Sequence, residues 1–172
     1  MNQFCQALTA LNPSSHIPPQ DNWFAPLIGH WDFEWIDKKG DMECKVPGEW
    51  IFSWIIEGCA IQDVFICPSR PNRQGDMFKD AAYGTTLCWY NAKEHCWEAV
   101  YADKESYTTL KAQKDKSDIV LTCTNCEGYQ MKWIFSDITS DNFHWRNIIS
   151  NDNGENWTVA GQLFASRHRW AI

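Results

Sequence analysis

The sequence predicts an all-β fold, a single antiparallel up-and-down β-barrel of about eight to ten strands behind a short N-terminal arm or helix. Three features carry that reading. Strand-like runs recur at short spacing from His30 onward, the links between them are hairpin turns, and no apolar stretch of helical period is long enough to serve as a crossover. Without βαβ units the strands pair antiparallel with their sequence neighbours, and a meander of this many strands curls until its ends meet, because closure removes unpaired edges. Two stacked sheets would require Greek-key crossovers, for which the short links leave little room.

The elements follow in order. Residues 1–20 read as an arm: Asn2 to Gln20 is polar, and Pro13, Pro18 and Pro19 oppose both helix and ladder beyond one short opening helix. Residues 21–172 form the barrel domain, a length suited to one core that buries roughly two thirds of the unfolded surface. Asn22 to Gly29 is apolar but short, a turn or 3₁₀ segment that plugs one end of the barrel. The strands are then His30 to Lys38, Glu43 to Glu57, Cys59 to Cys67, Tyr83 to Tyr90, Cys96 to Ala102, Ser106 to Lys114, Asp118 to Thr124, Tyr129 to Ser136, Asn142 to Ser150 and Asn156 to Arg169. Turn chemistry sits at Gly40-Asp41, Asn91 to His95, Asp115-Lys116-Ser117, Cys126-Glu127-Gly128, Thr139-Ser140-Asp141 and Asp152-Asn153-Gly154. Pro68 to Asp80 makes a long excursion.

A net charge of -7, a pI near 5.1 and no local Lys/Arg stripe leave no electrostatic footprint for nucleic acid. No apolar run reaches the roughly 18 residues a membrane span needs, and the opening residues lack the layout of an export signal, so no membrane association and a cytoplasmic address are expected. In that compartment the 8 cysteines are expected as thiols, with Cys59, Cys67, Cys88 and Cys96 packing as small hydrophobes. Oligomeric state is open, with a homodimer as one option.

The 11 tryptophans call for a use, since each buried indole N–H wants a partner. Strand parity groups the rings: Trp31, Phe33 and Trp35 on one face of the first strand, Thr86, Cys88 and Tyr90 on the fourth, Trp97, Ala99 and Tyr101 on the fifth, Trp133 and Phe135 on the eighth, and Phe143, Trp145 and Asn147 on the ninth. Turned inward, they make an apolar pocket with a few hydroxyl and amide handles, which is how a small organic ligand is oriented. The expected ligand-binding residues are Phe33, Trp35, Thr86, Tyr90, Trp97, Tyr101, Trp133, Phe135, Phe143, Trp145 and Asn147. The competing reading is that these rings fill the core and leave no void.

Gly29-His30-Trp31, opening the first strand, resembles the G-x-W signature of lipocalins and other calycins. The resemblance implies that an Arg on the last strand packs over Trp31 and closes the barrel base; Arg167 and Arg169 both stand near, and Arg167 is preferred. The stretches Gly48 to Trp54, Glu57 to Val64, Tyr83 to Tyr90, Trp133 to Ile138, Phe143 to Trp145 and Ser150 to Trp157 are similar to bacterial lipocalin-like domain proteins, a group that brings a fold and no agreed activity. Those relatives tend to carry Arg where this chain has Cys59 and Cys88, so no internal charged site is transferred.

Other constellations carry less. Ser150-x-Asp152-x-Gly154-x-x-Trp157 resembles an Asp-box, but one copy without a propeller repeat is a tight hairpin. Cys123-x-x-Cys126 lacks both the helix N-terminus of a redox pair and the second pair of a zinc site, and reads as an incidental pair at a hairpin tip. His16, His30, His95, His144 and His168 are too scattered for a helix-borne metal motif, and no metal is expected. If Arg167 points inward, His168 on the next position points outward, which makes haem ligation a subordinate alternative. Asp63, mid-strand among apolar residues, needs a partner, for which Arg146 and Lys132 are available. Glu34 and Glu49 alternate with aromatics and are expected to face water.

These readings point to binding of a small, largely apolar or aromatic molecule inside the barrel, with no cofactor. The alternative is an isomerase or lyase in the same cavity, with Asp63 as acid–base residue and Tyr90 or Tyr101 as donor. A purely structural or partner-binding barrel is a third possibility.

Overall fold

Large apolar residues alternate with polar ones along each run, so a pleated strand turns one face to a common interior. Ala82–Asn91 shows the pattern at its clearest: Gly84, Thr86, Cys88 and Tyr90 are buried and the residues between them are not. A computed structural model describes residues 2–39, 42–75 and 82–169, with 37–39 and 42–44 by backbone alone. The turn expected at Gly40-Asp41 and the end of the Pro68 to Asp80 excursion lie outside these residues.

The chain opens with α1 (Gln3–Leu8), capped by the Asn2 side chain accepting the Phe4 N–H, and β1 (Thr9–Ala10). Two 3₁₀ turns follow, Pro19–Asp21 and Ala25–Leu27. The barrel strands are β2 (Gly29–Lys39), β3 (Met42–Ile55), β4 (Ala60–Cys67), β5 (Ala82–Asn91), β6 (Cys96–Ala102), β7 (Tyr107–Asp115), β8 (Asp118–Cys123), β9 (Gln130–Ser136), β10 (Asn142–Ser150) and β11 (Thr158–Arg167). Each run read from the sequence is present, with ends moved by turn chemistry. β3 stops at Ile55 because Ile56 and Glu57 take φ of 51° and 53°. β11 starts at Thr158 because the Asp152 carboxylate holds the Asn156 N–H at 2.9 Å.

From β2 to β11 every strand pairs antiparallel with the next, and β11 returns to pair with β2 from Arg167↔Trp31 to Gln162↔Ile36, closing the barrel. β1 continues the ladder on β3 where β2 ends: β2 reaches Phe52, and β1 pairs with Trp54 and Ile55. The arm is thereby docked. Ile17 joins the core at 4% exposure, and the Ser14 N–H binds the Gly58 carbonyl at 3.0 Å. Phe24 and Leu27, from the 3₁₀ segment, are fully enclosed and plug the end of the barrel at which β2 begins.

That end is locked by one residue. The Arg167 guanidinium lies 3.7 Å from the centre of the Trp31 ring. Its Nη1 donates to the Ile28 carbonyl at 2.6 Å, Nη2 to Pro26 at 2.9 Å and Nε to Ser140 at 3.0 Å, while the Trp31 indole donates to Leu27 at 2.7 Å. Gly29 is obligatory here, since its φ is +125° and a Cβ would stand 2.6 Å from Arg167 Nη1. Arg169, the other candidate for this role, is exposed near Asp141.

The expectation that all cysteines are thiols is corrected at one place. Cys123 and Cys126 form a disulfide, because the turn after β8 folds back and brings the two Cα atoms to 5.9 Å. Cys5, Cys59, Cys67, Cys88 and Cys96 are free, the last three buried. Among the described residues no helix is long and apolar enough to cross a membrane.

Arg167→Ala removes the cation–π contact and three charge-assisted hydrogen bonds, and is expected to lower unfolding free energy by about 2–4 kcal/mol in urea denaturation. Arg167→Lys recovers only part of that loss, since one ammonium cannot span three carbonyls and cover a ring.

Candidate functional site

The lumen is packed at the plugged end and opens toward the other. Around the plug, Trp31 meets Phe143 edge-on at 4.7 Å, and Phe24 packs on Trp97 at 5.2 Å and Phe135 at 6.5 Å. Above this floor lies a cavity of about 180 Å³. Its wall is a continuous ring chain: Tyr101 on Trp133 at 5.3 Å, Trp133 on Trp145 at 5.8 Å, Trp145 on Trp35 and on Trp50 at 5.9 Å, and Trp50 on Phe65 at 5.0 Å. Ala82, Thr86 and Asn147 complete the lining.

Backbone geometry makes room for these rings. A Cβ on Gly161 would fall 2.5 Å from the Trp35 ring, and one on Gly84 would collide with Tyr101. Each ring therefore packs directly against a glycine of the adjoining strand, where a larger residue would displace it.

Of the residues expected to bind ligand, the structure brings Trp35, Thr86, Tyr101, Trp133, Trp145 and Asn147 around this space. Phe33, Tyr90, Trp97, Phe135 and Phe143 point into the barrel but stand outside it. Phe33 is stacked on Phe65 at 4.9 Å, Phe143 lies against Trp31, and Trp97 donates its indole N–H to the Asp21 carbonyl at 2.8 Å. Phe135 lines a deeper void just large enough for about one water. Trp50, Phe65 and Ala82 were missed. The signal was available for the first two: Trp50 shares parity with Gly48, Phe52 and Trp54 on β3, and Phe65 with Ile61 and Asp63 on β4.

Tyr90 is likewise removed from the candidate donors. Its hydroxyl donates to the Asp21 carboxylate, and His95 Nδ1 stands 3.1 Å from both. Burial first, and then the bond to Asp21, push the Tyr90 hydroxyl up to about 12; the same bond holds the Asp21 carboxyl low. This trio ties the plug to β5.

Asp63 overturns its expected ion pair. Lys132 lies on the outer face, 4.4 Å from the centre of the Trp157 ring, and Arg146 lies beside Ser136 on the same side. Asp63 instead points into the lumen, 5% exposed, and lines the deeper void with Cys88, Ile61 and Phe52. Its Oδ1 accepts the Thr86 N–H at 3.0 Å. Desolvation pushes its carboxyl up to about 7; Thr86 and the nearby Trp50 indole oppose the rise, although the Trp50 N–H closes no hydrogen bond of ordinary geometry. Trp50, Thr86 and Trp133 line both spaces, so the small void that holds the carboxylate adjoins the main cavity, whose own lining does not include Asp63. Burial and the charges of Asp103 and Asp63 raise the Tyr101 hydroxyl to about 12, which keeps it a neutral donor. The Trp50, Trp133 and Trp145 N–H groups and Asn147 Oδ1 are buried with no protein partner.

The acidic residues on the outside differ from Asp63 and from each other. Glu34 faces water beside Lys45 at 3.1 Å, as expected. Glu49 does not: the segment after β4 folds over it, and Arg70 binds its carboxylate through Nε at 2.9 Å and Nη2 at 2.6 Å. Among the described residues two groups gather donors suited to a metal ion, His30–Asp32–His168 and Glu94–Cys96–Glu98, both on the outer face. His168 is outside the lumen, stacked on His30 at 4.2 Å and 2.8 Å from Asp32 Oδ2. None of the five histidines lines the cavity.

The fold and site together define a lipocalin-like barrel with an aromatic internal cavity. Protein-family models and curated proteins yield no match to the sequence. Among solved structures, an S-type phycobiliprotein lyase of Guillardia theta is similar in fold, with a TM-score of 0.57, 12% identity, and coverage of 88% of this chain and 94% of that one.

Asp63 sets a pH dependence whose sign is opposite to that of a salt-bridged carboxylate. Its folded-state ionisation lies above the unfolded one, so the native state holds the extra proton between pH 4 and 7, and stability falls as pH rises through that window. Asp63→Asn is expected to remove this slope and to be more stable than the wild type at pH 8 by roughly 4 kcal/mol, read from urea denaturation across the range.

Proposed function

We propose that this chain is a member of the calycin superfamily, a lipocalin-like domain that binds a small, largely apolar or aromatic molecule in its barrel. The carrying observation is the cavity itself: about 180 Å³ walled by Trp35, Trp50, Phe65, Tyr101, Trp133 and Trp145. An apolar cavity of roughly 150 Å³ accommodates benzene, so this space suits a molecule of one or two rings. Tyr101 Oη, Thr86 and Asn147 supply the few polar handles that orient such a molecule. The phycobiliprotein lyase of similar fold is consistent with a small molecule in the barrel, and its name also supports the second reading.

That second reading is an isomerase or lyase acting in the same cavity. It is favoured by Asp63, whose carboxyl burial pushes up to about 7, the range in which a general acid or base is most effective. Tyr101 is the donor within reach of the same space. An activity that disappears in Asp63→Asn while ligand affinity persists would decide for catalysis over carriage.

Titration with prodan, a neutral two-ring fluorophore, is expected to give saturable one-to-one binding with a micromolar Kd, confirmed by native mass spectrometry. Ala82→Phe, which fills the lining, is expected to weaken it roughly tenfold or more with the fold intact by circular dichroism. No saturable binding to the wild type would remove the proposal.

A further inference from the structure

Among the described residues, one buried carboxylate of the lumen has no cationic partner. The protein's other buried carboxylates are provided for: Glu49 is clamped by Arg70, and Asp21 by Tyr90 and His95. Asp63 is as deeply buried, yet its bonds are to neutral groups, and among the described residues no lysine, arginine or histidine forms an ion pair with it or shifts its ionisation. Among the described residues, the positions of the neighbouring strands that face it carry no cation. On β3 it faces Phe52 and Trp50, on β5 Thr86 and Cys88, and Tyr101 on β6 lies close enough to feel its charge. The ionisable ones among these, the Cys88 thiol and the Tyr101 hydroxyl, are neutral and held so by burial.

A buried carboxylate in apolar surroundings costs free energy until a positive charge meets it. The void beside Asp63 has room for about one water, and Trp50 and Trp133, which line both it and the main cavity, belong to the side chain that best attracts a cation to its face. Building on the reading of this cavity as a binding site, we propose that its ligand is a small organic cation, an aromatic or alkyl ammonium, whose charge pairs with Asp63 and whose apolar body is held by the tryptophans. The same arrangement rejects organic anions, which would place two negative charges in one desolvated space. A net charge of -7 favours approach of the same class of molecule.

The test compares three one-ring probes of similar size, benzyltrimethylammonium, neopentylbenzene and benzylsulfonate, as displacers of prodan. The quaternary cation has no ionisation of its own, so any pH effect belongs to the protein. At pH 8 the cation is expected to bind about tenfold tighter than the neutral isostere and the anion to bind weakest. Between pH 6 and pH 8 affinity for the cation is expected to rise as Asp63 loses its proton, while that of the neutral probe stays flat. In Asp63→Asn the cation and the neutral probe should become equal. Equal binding of cation and neutral probe by the wild type, or a cation preference that survives Asp63→Asn, overturns the inference and leaves the cavity reading standing. Failure of prodan and all three probes to bind overturns both.

Discussion

The barrel depends on the contact between Arg167 and Trp31. Ten strands in sequence define a ribbon, and the pairing of β11 with β2 turns that ribbon into a tube. Arg167 sits at the end of this last ladder, opposite Trp31, and its three donors hold the chain that enters the barrel and the loop before β10. A guanidinium is suited to this because it is flat enough to lie on an indole and forked enough to reach several carbonyls. Closure, plug and floor are therefore one construction, and Gly29 is its clearance.

Above the floor the interior changes character by degrees. Near the plug, Phe24, Trp31, Trp97, Phe135 and Phe143 interlock at van der Waals contact. Toward the mouth the rings of Trp35 and Tyr101 pack against glycines of adjacent strands and line the cavity. The same chemical type of side chain thus fills the tube at one end and frames a space at the other. What differs is the backbone beneath.

Carboxylates show how strongly position governs chemistry on one scaffold. Asp32 and Glu49 are partners across β2 and β3 on the outer face, and Phe52 and Asp63 are partners across β3 and β4 on the inner one. Glu49 is buried by a loop that brings Arg70 with it, so its carboxyl is held low once that pairing has outweighed desolvation. Asp63 is buried by rings that bring no charge, and desolvation prevails. A carboxylate left in that condition keeps its proton well above the usual carboxylate range.

The sequence by itself determined the strands, their antiparallel order and the plug before His30, because parity and turn residues are local signals; the closing pair of Trp31 with an Arg of the last strand came from the resemblance carried by the G-x-W pattern, and the structure chose Arg167 over Arg169. The sequence also assigned the inward faces correctly, including those of residues that do not touch the cavity. Depth along the tube was beyond it: parity places Phe143 and Trp145 on one face but does not reveal that one meets the plug and the other the void. Nor could it decide between an inward Asp63 without a cation and a paired one, the disulfide at Cys123 and Cys126, or the cover over Glu49. Those outcomes follow from which residues of distant strands and loops meet after closure, and only the tertiary structure sets such meetings.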